Sequence, residues 1–103
     1  MVAPRDPVQI QYTSGTTGFP KGAVLHHAGI TNNARFGFAR YQVPTGETVL
    51  NNMPLFHTAG CGILTLGSIQ CGCRMILAKL FDPPRMLAII ESERVGFMFG
   101  VPT

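Results

Sequence analysis

From Thr48 to Val101 the chain alternates short apolar runs with helix-like segments, and proline or glycine punctuates each change. No other feature restricts the fold as much. Thr48 to Met53 reads as a strand stopped by Pro54. A helix is expected from Thr58, as its cap, to Cys71, with Ile63, Leu64, Leu66 and Ile69 apolar and Gly72 as the stop residue. Arg74 to Ala78 is a second apolar strand. Asp82 before Pro83 opens a further helix to Glu93, because the carboxylate accepts a first-turn N–H and proline presets φ. Met86, Leu87, Ile89 and Ile90 supply its apolar face, and Val95 to Val101 is a last strand ending at Pro102. Strands separated by helices pair in parallel through crossovers, so residues 48–101 are predicted to form βαβ units.

The first third reads differently. Val8 to Thr13 alternates apolar and polar residues, the pattern of a half-buried strand. Residues 14–22 form a loop, and Ala23 to His26 is a short apolar strand. From about His27 to Arg40 the positions Ile30, Ala34 and Phe38 recur at helical spacing, despite Gly29 and Gly37. Pro44, Thr45 and Gly46 mark a turn. The predicted class is therefore α/β: mostly parallel βαβ units preceded by a strand–loop–strand, in one partial domain over residues 1–103.

Composition adds one constraint. Only 13% of the 103 residues are charged, about half the usual ~25%, although a small domain is mostly surface. Surfaces that expect a neighbour follow, and with them self-association of the chain alone. The eight Lys/Arg residues are scattered against five Asp/Glu, with no stripe, so no nucleic-acid partner is expected. No apolar stretch reaches the ~18–20 residues of a membrane span. The amino terminus lacks the apolar core of a secretory signal, which makes a cytoplasmic location the default expectation. Cys61, Cys71 and Cys73 read as free thiols, and no spaced ligand set predicts a metal site.

Chemistry concentrates in Tyr12–Gly22, which holds three glycines, four Ser/Thr hydroxyls and one lysine. Glycines let backbone N–H groups approach a ligand, and turned N–H groups make an anion nest. Hydroxyls add donors, and Lys21 adds a compact positive charge. These parts suit a polyphosphate. The loop is not a Walker loop: counted from Gly15, Pro20 stands at the second glycine position and Gly22 follows Lys21 where Ser or Thr is required.

Thr13-Ser14-Gly15-Thr16-Thr17-Gly18-Phe19-Pro20-Lys21-Gly22 resembles the phosphate loop (13–22) of acyl-adenylate-forming enzymes. Met53-Pro54-Leu55-Phe56-His57-Thr58-Ala59-Gly60 resembles a segment of their fatty-acyl and aryl CoA ligase branch. The ending Gly100-Val101-Pro102-Thr103 also fits. The resemblance implies a piece of the large domain of an acyl-CoA synthetase. Such an enzyme joins a carboxylic acid, expected here to be a fatty acid, to ATP with Mg2+. It forms acyl-adenylate and pyrophosphate, then transfers the acyl group to CoA. It also implies that Thr13, Ser14, Gly15, Thr16, Thr17 and Gly18 hold the β- and γ-phosphates, with Lys21 at the pyrophosphate or fixing the loop. His57 falls at the acyl pocket beside the reacting carboxylate, with Phe56, Cys61 and Gly62 either lining the channel or packing.

Other elements of that family are absent from these residues. There is no Tyr-Gly-x-Thr-Glu motif, no Thr-Gly-Asp segment, and no carboxy-terminal domain with its lysine. The 103-residue chain is therefore expected to be inactive alone. Two rival readings are a non-catalytic phosphate- or nucleotide-binding module and a structural piece stable only as an oligomer.

Overall fold

The computed structural model describes residues 1–13 and 18–101. Strands β1 (Pro7–Thr13) and β2 (Lys21–His26) form an antiparallel ribbon, in which Thr13 faces Lys21 and Gln11 faces Ala23. Helix α1 (His27–Arg40) leaves β2 without a break. His26 ends the strand in extended geometry, and its Nδ1 accepts the Gly29 N–H at 2.9 Å, satisfying a first-turn donor. Ile30, Ala34 and Phe38 are the buried stripe, as their spacing predicts.

The second sheet has three parallel strands. Strand β3 (Thr48–Asn51) lies between β4 (Arg74–Leu77) and β5 (Phe97–Met98). Phe38, Val49 and Leu64 form the fully buried centre, with Val43, Met53, Ile63, Cys71, Cys73, Phe97 and Phe99 packed around them. Phe97 stacks at 5.7 Å from both Phe38 and Tyr41. The predicted parallel βαβ arrangement is present.

Three expectations change. The segment after Pro54 is not one α-helix capped by Thr58. A π-helical turn, Ala59–Thr65, runs into a short α2, Leu66–Gln70. Thr58 already has helical angles and its side chain caps nothing, while His57 Nδ1 accepts the Ala59 N–H at 3.1 Å instead. The helix widens because the Gly60 carbonyl is taken by Thr65 Oγ1 at 2.8 Å and by Asn51 Nδ2 at 3.0 Å. Second, the strand expected over Val95–Val101 pairs only at Phe97 and Met98, since β3, its one partner, ends at Asn51. Third, α3 (Pro83–Glu93) begins as expected, with Asp82 Oδ1 accepting the Arg85 N–H at 3.3 Å, but buries Met86 alone and leaves Leu87 exposed. A helix face is covered only where another element reaches it.

The solvent-accessible surface is 7360 Å², against about 5,700 Å² for a compact monomer of this mass. The radius of gyration is 15.0 Å, where about 13 Å is usual for this length. The excess includes one face of the ribbon, where Val8, Ile10, Tyr12 and Val24 stand exposed. These open apolar faces accompany the low charge content of the sequence.

Candidate functional site

The carboxyl ends of parallel strands open onto a crevice, the usual ligand position in such sheets. Here β3, β4 and β5 release the chain at Asn51, Leu77 and Met98, and the three departing segments enclose a cleft of about 1160 Å³. Its walls include Met53, Leu55, Phe56, Leu80, Phe81 and Val101. Two ionisable side chains, His57 and Lys79, share this lining, and no carboxylate does. The cleft therefore favours an apolar molecule with an anionic end.

His57 lies on a loop with defined internal geometry. Its N–H donates to Pro54 O at 3.0 Å, and its carbonyl accepts from Gly60 N at 3.0 Å and Cys61 N at 3.1 Å. A backbone N–H can only donate, so the bond from Ala59 N fixes Nδ1 as the unprotonated nitrogen. The tautomer that keeps this bond carries its proton on Nε2, and His57 is one of the residues lining the cleft. Gly60 must be glycine here: a Cβ would lie 2.4 Å from Pro54 O. Phe56 is exposed and is one of the residues lining the cleft. Cys61 and Gly62 are not in its lining; Cys61 bonds to Gln9, and Gly62 packs against Thr58 and Ile30.

The ribbon is tied to this loop. Gln11 Nε2 donates to Phe56 O at 3.1 Å, and Gln9 Nε2 reaches Cys61 Sγ at 3.2 Å. Side chains alternate along a strand and cross-strand partners share a face. Thr13 and Lys21 therefore stand on the same ribbon face as Gln9 and Gln11, the face turned to the His57 loop. Both are exposed, as is Gly18, whose φ of +85° requires glycine. Ser14, Gly15, Thr16 and Thr17 lie outside the described residues. The strand that leads into the first motif is thus bonded to the second, Gln11 reaching Phe56 across 45 positions.

Sequence reading missed four contributors: Gln9 and Gln11, which looked like the polar side of a strand; Asn51, which ended an apolar run; and Lys79, which had no motif around it. The signal available was the pair Asn51-Asn52 at the point where an apolar strand should stop.

A parallel sheet with helical crossovers, preceded by an antiparallel ribbon, defines an α/β domain. The chain belongs to the AMP-binding enzyme family, whose profile it matches over residues 1–103. It is 41% identical over 98 residues to a feruloyl-CoA synthase of Amycolatopsis sp, covering 95% of this chain and 20% of that protein. It is 38% identical over 103 residues to the mitochondrial medium-chain acyl-CoA ligase ACSF2 of Homo sapiens, covering 95% of this chain and 17% of that one. The fold superposes on the inhibitor-bound N-terminal domain of FACL13 from Mycobacterium tuberculosis with a TM-score of 0.84 at 33% identity, over 95% of this chain and 24% of that chain. ATP-bound MatB from Rhodopseudomonas palustris gives 0.84 at 30% identity, over 97% and 20%. The chain spans about one fifth of the length of the curated relatives it matches. Among the described residues, no helix is long and apolar enough to cross a membrane.

Proposed function

We propose that the protein carrying this chain is an ATP-dependent acid–thiol ligase. A carboxylate oxygen attacks the α-phosphorus of ATP, pyrophosphate leaves, and the CoA thiol then displaces AMP to give the thioester. The observation behind this reading is the apolar cleft lined by His57 and Lys79, linked through Gln11 to the ribbon face bearing Thr13 and Lys21. An apolar acid with one carboxylate, a fatty acid in the first instance, matches such walls. Relatives named for feruloyl and medium-chain acyl substrates support the same class.

In this reading Thr13, Ser14, Gly15, Thr16, Thr17 and Gly18 hold the β- and γ-phosphates with hydroxyl and amide donors. Lys21 neutralises charge as it moves onto the departing pyrophosphate. His57 donates from Nε2 to an oxygen of the acid and orients it for attack. Magnesium arrives with the ATP phosphates. Among the described residues no three His, Cys, Asp or Glu side chains gather as a metal site, and the donors present suit phosphate oxygens rather than the ion. The 103-residue chain alone is expected to be inactive and to self-associate.

Acid-dependent ATP–pyrophosphate exchange by the full-length protein tests the reading. Lys21→Ala and Thr16→Ala should each lower turnover by about 10²–10³, with a smaller change in acid KM. His57→Ala should act on the acid side, through KM or chain preference. Loop variants that change only acid KM would contradict these roles.

A further inference from the structure

The His57 loop is closed at both ends by one buried side chain. Asn51 is 1% exposed and sits at the carboxyl end of the central strand β3. Its Oδ1 accepts the Met53 N–H at 3.2 Å, where the loop begins. Its Nδ2 donates to Gly60 O at 3.0 Å, where the loop ends, and to Thr65 Oγ1 at 3.3 Å one turn further on. Thr65 Oγ1 returns to the same Gly60 carbonyl at 2.8 Å, which holds the π-helical turn open. The amide oxygen accepts from Met53, and the amide nitrogen donates toward the adjacent Gly60 O and Thr65 Oγ1 and toward Met75 Sδ at 3.9 Å. Aspartate would keep only the Met53 bond, leucine neither, and glutamine is one methylene too long for the site.

We infer that Asn51 is the positioning residue of this cleft: it staples Met53 to Gly60 and so fixes the loop from which His57 presents Nε2–H. The function assigned to His57 rests on the ligase reading above; the staple itself does not. Asn51 touches no reacting atom. The groups packed on its amide, Met53, Gly60, Thr65 and Met75, are all uncharged.

Two measurements on the full-length protein separate the staple from the activity. In hydrogen exchange, Asn51→Leu should lose protection at Gly60, Cys61 and Met53 by about tenfold or more, with α3 unchanged. In kinetics, Asn51→Leu and, more mildly, Thr65→Val should raise acid KM by about tenfold while ATP KM stays in place. Asn51→Asp carries the distinguishing signature. A carboxyl buried among uncharged groups favours its neutral form, which has one donor and one acceptor and can remake both ends of the staple. Loop protection of Asn51→Asp, measured against wild type at the same pH, should therefore recover as pH falls from about 8 to about 5.5. The same loss of protection in α3 as in the loop, or an Asn51→Asp variant without acid recovery, overturns the proposal. Wild-type protein without acid-dependent exchange refutes the ligase reading, and the staple is then judged on loop protection alone.

Discussion

Replacing Gly67 by alanine should destabilise this fold, although the same change in an ordinary helix is stabilising by about 1 kcal/mol. Gly67 lies in α2 directly beneath the Phe38 ring. A Cβ there would stand 2.3 Å from Cδ2 and Cε2 and 2.8 Å from Cζ of that ring. The ring cannot swing away: Phe38 is 0% exposed, packed with Val49 and Leu64, and stacked on Phe97 at 5.7 Å. Relief needs a shift of about 1 Å in a close-packed core, and overpacking of that kind costs about 1–3 kcal/mol. With the propensity gain of about 1 kcal/mol subtracted, a net loss of up to about 2 kcal/mol remains. Gly37 in α1 is the internal control. A Cβ there meets Ile63 Cγ2 at 3.6 Å and Tyr41 Cε2 at 4.0 Å, ordinary contacts, so Gly37→Ala should gain about 0.5–1 kcal/mol. Urea denaturation should rank Gly37→Ala above wild type and wild type above Gly67→Ala, a spread of up to about 3 kcal/mol. Adding Phe38→Leu to Gly67→Ala should recover part of the loss as a coupling of about 0.5–3 kcal/mol. A Gly67→Ala variant as stable as wild type, or additive double-mutant energies, would refute the packing argument.

Two further outcomes are expected. Burial, helped by the neighbouring Cys71, raises the Cys73 thiol above its ordinary 9.0, so the fold favours the neutral thiol. That contribution to stability is complete below pH 9.0 and is lost as pH rises past it, and the pH–rate profile for alkylation of native Cys73 should have its midpoint above 9.0; a midpoint at or below that of the unfolded chain contradicts the assignment. The isolated 103-residue chain should also grow in mass with concentration in light scattering, because the ribbon leaves Val8, Ile10, Tyr12 and Val24 uncovered; a constant 11.1 kDa species across a hundredfold range counts against this.

Much of the fold is legible because local spacing determines it. Ile30, Ala34 and Phe38 recur at helical intervals and are buried at those positions; Asp82-Pro83 starts a helix through its own side-chain bond. What the sequence does not disclose depends on distant partners. Thr58 looks like a cap, yet the free N–H of Ala59 is taken by His57, and the turn is widened by a strand residue, Asn51, reaching Gly60 O. Leu87 has the right spacing for burial and no element over it.

The site divides along the same line. Residue type alone identifies groups suited to touch a ligand, because hydroxyls, glycines, Lys21 and His57 carry their chemistry with them. The groups that hold them in place do not look chemical. Gln11 meets Phe56 across 45 positions, Gln9 meets Cys61 across 52, and Asn51 meets Gly60 across nine. Each is an amide side chain that donates to another segment and is bland in sequence. The assembled structure alone reveals that β1, which leads into the first motif, is bonded to the loop that Asn51 closes. Variants of ligand-touching residues should therefore alter chemistry with the loop intact, whereas variants of Gln11 or Asn51 should first alter the loop and only through it the acid.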